Sequence, residues 1–138
     1  MGIHRGGRGF YRRLREGLIA HAEHQFSLDI PDEKGNTGRQ SLQMLLDRAK
    51  DEATAARYAD DLSGPECPDE ARYLFLWFLE LHRARAQGGM GPGAIGYPDI
   101  HAWCGLRGIT LAPWEVEILT ALDHAWLVAQ SKAVKRGS

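Results

Sequence analysis

Gly91, Gly93 and Gly96 fall in the pattern GxGxxG, the spacing with which a glycine turn brings backbone N–H groups to a dinucleotide pyrophosphate. That chemistry needs a strand before the turn and a helix opening at its end. Here the preceding segment has a helical pattern, Pro92 and Pro98 remove two donors, and no Gly-Lys-Ser/Thr follows. An interhelical loop is predicted instead, with glycine allowing close backbone packing. His21 and His24 stand i, i+3 on a helix with Glu23 between them, a spacing two metal ligands could share. HExxH is absent and no third ligand lies nearby, so they are read as surface histidines. Asp99 and His101 are too close to share a helix face, and no Ser or Cys is placed as a nucleophile. Cys104 shares an apolar stripe with Ile100 and reads as a core residue. No catalytic residue, metal ligand or cofactor-binding residue is assigned, and the chain is not expected to be an enzyme or to carry a cofactor.

The elements that must carry these residues are predicted to be helices. Phe10, Leu14, Leu18, Ala22 and Phe26 recur every fourth residue, one stripe of a helix over 10–26 whose middle Gly17 weakens. Pro31 and the Gly35–Gly38 stretch break the chain. A second amphipathic helix is predicted over 39–61, with Leu42, Leu45, Leu46, Ala49, Ala53 and Ala56 inward. After Gly64-Pro65 and Pro68 comes a helix over 69–86, apolar on nearly every side from Tyr73 to Leu81, which is expected to be the central core helix. The glycine loop follows over 88–96. A short helix from Tyr97 buries Ile100, Trp103 and Cys104 and ends on a left-handed Gly108. The last helix begins at Pro113, with Trp114, Ile118, Ala121, Leu122 and Ala125 inward, and frays from Ser131. The fold class is all-α, a compact bundle of four to five helices with no sheet.

At 138 residues the chain suits one core of ordinary size. With 17 Lys plus Arg against 18 Asp plus Glu, the net charge of -1 predicts no general attraction to nucleic acid. Five arginines precede Glu16, and Lys132, Lys135 and Arg136 lie in the last stretch. These are read as solvated ends, with contact to an acidic partner or RNA the sharper alternative. Cys67 and Cys104 form no CxxC pair, and no signal-like or membrane-spanning run is found, so a reduced cytosolic setting is expected.

Two further readings concern partners. The last two helices, joined at Gly108, resemble a helix-turn-helix unit. A recognition helix normally brings Lys, Arg, Asn or Gln to the duplex. None of Lys or Arg falls between Gly108 and Ser131, where Glu115, Glu117 and Asp123 add negative charge. A small DNA-binding regulator is therefore the alternative, not the leading reading. Trp77, Trp103, Trp114 and Trp126 all lie in the second half, at least two of them expected in the core and any exposed one a ready anchor for a protein.

The second half resembles tail assembly chaperones of long-tailed bacteriophages, the group that includes minor tail protein T-like proteins. The resemblance runs over about residues 64–130, through Gly64-Pro65-Glu66-Cys67-Pro68, Tyr73-Leu74-Phe75-Leu76-Trp77-Phe78-Leu79-Glu80-Leu81 and Gly91-Pro92-Gly93-Ala94-Ile95-Gly96-Tyr97. It continues through Ile100-His101-Ala102-Trp103-Cys104 and Pro113-Trp114-Glu115-Val116 to Leu122-Asp123-His124-Ala125-Trp126-Leu127. One departure is Ala112, where family members often carry Thr or Ser to cap the last helix. The resemblance implies a non-enzymatic helical protein, in the host bacterial cytoplasm and not in the mature virion, that binds the phage tape measure protein and in some cases the tail-tube protein. Nucleic acid and membrane are not implied partners, and a homo-oligomer is left open. Client contact is expected at Phe78, Met90, Ile95, Tyr97 and Trp114, apolar side chains around the glycine loop. Three regions are expected: 1–62 helical with a basic start, 63–131 Trp-rich and chaperone-like, and 132–138 a basic tail. A structural tail or connector protein of the virion is the remaining alternative.

Overall fold

The computed structural model describes the backbone of residues 3–85, 87–88 and 91–137, and the side chains of 9–85 and 91–133. Among the described residues there are six α-helices: α1 (Ile3–Leu28), α2 (Gly38–Asp47), α3 (Glu52–Ser63), α4 (Arg72–Arg83), α5 (Tyr97–Arg107) and α6 (Pro113–Gly137). A single 3-10 turn, Asp69–Ala71, leads into α4. The only extended pairing described is a two-residue antiparallel one in the glycine loop, β1 (Gln87–Gly88) with β2 (Gly91–Pro92), plus an isolated bridge from Pro31 to Thr37. The fold is all-α, as predicted.

The core is a three-helix seam. Leu14, Leu18, Ala22 and Phe26 of α1 are buried at the spacing predicted, and meet Leu74, Phe78 and Leu81 of α4 and Ile118, Leu119 and Leu122 of α6. Gly17, read as a weak point of α1, has a packing reason: a Cβ there would stand 2.9 Å from Cγ of Pro68. The longest side-by-side packing is between α1 and α6, while α4 closes the seam from one side. The expectation of a helix covered all round is met only in part, because Leu76 of α4 faces solvent. α6 continues to Gly137, beyond the predicted fraying point.

The predicted second helix is two. Arg48 ends α2, and Asp51 opens α3 by accepting a 2.7 Å hydrogen bond from the Thr54 N–H; the Thr54 side chain first, and then this N–H, hold its carboxyl below the usual range. At the start of α2, Thr37 and Gln40 form a reciprocal capping box. Folding back as a hairpin changes which residues face inward: Leu45, Ala53 and Ala56 are exposed, and neither helix buries a side chain. The hairpin is fastened by polar groups at its base. His24 Nε2 meets the Asp61 carbonyl at 2.6 Å, His21 Nδ1 the Pro65 carbonyl at 2.8 Å, and Gln25 donates to Leu62 and Ser63. Arg39 pairs with Asp29 and donates to Gln25. The two histidines thus satisfy carbonyls at and beyond the end of α3, where a helix leaves its last acceptors free.

Gly64 lets the chain leave α3 at φ +60, and a Cβ there would lie 2.1 Å from Cδ2 of His24. Gly64→Ala should therefore cost about 2 kcal/mol, from left-handed backbone strain plus the displaced His24 hydrogen bond. Urea unfolding checks this, with the loss expected to shrink on a His24→Ala background.

Candidate functional site

The glycine loop between α4 and α5 is tied down by a buried ion pair. Arg85, just past the end of α4, and Asp123, in the middle of α6, are 9% and 4% exposed. The guanidinium donates through Nη2 to Asp123, through Nη1 to the Gly93 carbonyl at 2.7 Å, and through Nε to His82 Nδ1 at 3.1 Å. The second carboxylate oxygen accepts from the Ile95 N–H at 2.9 Å. Above the guanidinium lies the Trp126 ring, its centroid 4.1 Å from Cζ, a cation–π arrangement. His82 sits edge-on to Trp126 and stacks against Phe78. Burial, and then the neighbouring Arg85 charge, hold the His82 imidazole below its ordinary pKa, which keeps Nδ1 free to accept.

Asp123 was expected to add surface charge to the last helix. It is instead interior and neutralised. The available signal was its place on an apolar face, with Leu119 and Trp126 at helical spacing to either side. Glu115 is likewise engaged: it accepts from the Tyr73 hydroxyl and from the Ala112 N–H, both at 2.7 Å. Glu115 thus supplies one half of a capping box where Ala112 offers no hydroxyl. Burial, then the bond to Glu115, push the Tyr73 phenol well above its ordinary value. Of the three acids counted against DNA binding, Glu117 alone remains exposed without such a role. α6 is the spine of the core, with Ile118, Leu119 and Leu122 buried, and so does not have the free face that a DNA-reading helix needs.

α5 opens at Gly96, where Asp99 Oδ2 accepts from the backbone N–H, and ends on Gly108 at φ 66, ψ 32, as predicted. Trp103 packs edge-on to Trp77 and donates to Glu80, which also pairs with Arg107. All four tryptophans are half-buried against the core. Cys67 and Cys104 are free thiols raised in pKa by burial. Among the described residues, no three His, Cys, Asp or Glu side chains converge on a metal-sized site, and no helix is long and apolar enough to cross a membrane.

The five residues singled out as client contacts are placed differently from one another. Phe78 is 0% exposed between Phe26 and His82, and Ile95 is buried beneath the loop. Tyr97, at the first turn of α5, is 69% exposed. Trp114 is half-buried and stacks on Tyr11 of α1 with ring centroids 4.5 Å apart, away from the loop clasp. Met90 lies outside the described residues. Other exposed apolar side chains are Met44, 51% exposed, on the α2–α3 hairpin, Leu45 beside it, which periodicity places inward, and Leu106 on α5. Under that hairpin lies a cavity of about 660 Å³, with Phe26, Phe75 and Leu79 on its apolar side and Arg39 and Arg72 on its polar side.

Removing one partner of a buried pair leaves the other charge uncompensated, so Asp123→Ala should cost about 3–5 kcal/mol in urea unfolding. Asp69→Ala, which breaks an exposed pair with Arg72, should leave the urea midpoint almost unchanged.

Residues 48–128 match the family model described as phage tail assembly chaperone. No curated protein and no solved structure matches the chain.

Proposed function

The chain belongs to the phage tail assembly chaperone family, and from that premise we propose that it binds the phage tape measure protein while a long tail is being built. The family match over 48–128 carries this reading. Tail-tube subunits are a second client in the same proposal. The protein acts in the host cytoplasm, stays out of the finished particle, and works by binding and release with no reaction of its own.

The surface chemistry supports such a role. A long helical client held before assembly presents apolar stripes, and aromatic or aliphatic side chains standing out of a polar surface cover them through helix-in-groove contacts. Tyr97 is the most prominent aromatic of this kind, on an α5 fastened to α4 by the Trp77–Trp103 and Glu80–Arg107 contacts. Trp114, half-buried and stacked on Tyr11, adds a second aromatic surface at the start of α6. Phe78 and Ile95 act from beneath, by holding the loop and α4 in position, and Met90 belongs to the same loop. We place residues 63–131 as the client-binding region, with 1–62 completing its core and 132–138 as a basic tail.

Co-expression tests the reading directly. The tape measure protein should be recovered in soluble form with this chain and not without it. Tyr97→Ser, an exposed change that leaves the core intact, should lower co-recovery roughly tenfold, as loss of an aromatic anchor does. Equal client solubility with and without the chain would remove the proposal.

A further inference from the structure

We propose that the groove between α1 and α6 is a homodimer interface, occupied by a second copy of this chain running antiparallel. The groove measures about 1360 Å³. Its floor is apolar, formed by Ile19 of α1 and by Ala121, Ala125, Val128 and Ala129 of α6, with Val128 exposed. Small residues at every fourth position of α6 leave room for another helix to approach closely.

The two helices run side by side in the same direction. Tyr11 stacks on Trp114 near their N-terminal ends. Further along, Phe26 and Trp126 reach the same Phe78–His82 stack from either side. Their dipoles therefore add, with both positive ends at one end of the groove. A second copy laid antiparallel sets positive ends against negative ends.

The rim charges run in opposite senses on the two helices, basic to acidic along α1 and acidic to basic along α6, and each sense is complemented by an antiparallel copy. In an antiparallel pairing of a helix with its own copy, residues equally far from the midpoint face each other. Glu117 and Lys132 are equidistant from a midpoint at His124 and Ala125, and Arg15 and Glu23 from Ile19. Counting equally from the Tyr11–Trp114 contact sets Ile19 level with Leu122, less than one turn from the α6 midpoint, so the two pairings share one dyad. Arg12 adds to the basic end of α1, partly offset by Glu16 one turn on. Among the described residues, none of Arg15, Glu23, Glu117 and Lys132 has an ion-pair partner. At 1.5 Å per residue and about 10 Å of width per helix, the lined stretch covers roughly 27 by 20 Å per copy, or about 1,100 Å² in the dimer. That is the lower range for a specific, reversible dimer.

The inference does not depend on the client, because it concerns the chain alone in solution. Sedimentation equilibrium of the full chain should give twice its 15.4 kDa mass at concentrations of about 100 μM. Glu117→Lys sets lysine against Lys132 of the other copy at both ends of α6 and should weaken the dimer roughly tenfold or more. The double change Glu117→Lys with Lys132→Glu restores opposite charges only in the antiparallel arrangement, and should bring the dimer back to within about threefold of the original. Circular dichroism should find all three proteins equally helical, since both positions are exposed. A monomer at that concentration, a larger assembly, a dimer indifferent to Glu117→Lys, or a double variant that stays dissociated would each overturn the proposal. The last result would point to a parallel pairing or to a groove kept for another protein.

Discussion

The contact between Arg85 and Asp123 is the constraint on which the arrangement of the second half depends. It joins three pieces of chain, the end of α4, the glycine loop and the middle of α6. Two buried charges are tolerable because their described polar atoms are met, by the Gly93 carbonyl, the Ile95 N–H, His82 and each other. In a low-dielectric interior such a pair adds little net stability over a well-packed apolar substitute, but it admits one geometry. Here that geometry sets where a glycine-rich segment leaves the body and where α5 begins. Tyr97 stands out from the surface because the residues just before it are anchored from below.

The α2–α3 hairpin obeys a different rule. Neither helix buries a side chain, and the attachment consists of histidine, glutamine and arginine contacts to carbonyls and carboxylates at its base. Exposed polar contacts contribute modestly, so the hairpin should open at lower free energy than the α1–α4–α6 seam. The body therefore has a firm seam and a less firmly held arm carrying Met44 and Leu45. The glycine loop and the hairpin are fastened differently, one by a buried clasp and one by polar contacts at its base.

Much was legible in the residues, and the reasons are local. The stripe from Leu14 to Phe26 declared α1, Pro113 and Gly108 bracketed the last connection, and the aromatic run from Tyr73 marked α4, because helix periodicity and proline or glycine geometry act over a few neighbouring residues. The break at Arg48–Asp51 was not legible. An aspartate that caps a new helix and one that decorates the polar face of a continuing helix look alike until the chain direction is known. The same ambiguity hid Asp123, whose carboxylate is a surface charge or a buried anchor according to what crosses above it.

The amino-acid order by itself determined the helices, the apolar stripes they bury and the resemblance that the family match bears out, since these depend on residue type and spacing alone. Tertiary structure decided which aromatics were spent on the core and which were left outside. Phe78 and Tyr97 are both aromatic residues expected to meet a client, yet one is enclosed by Phe26 and His82 while the other meets water. Exposure is a property of the surrounding elements and their angles, and no count along one chain contains it.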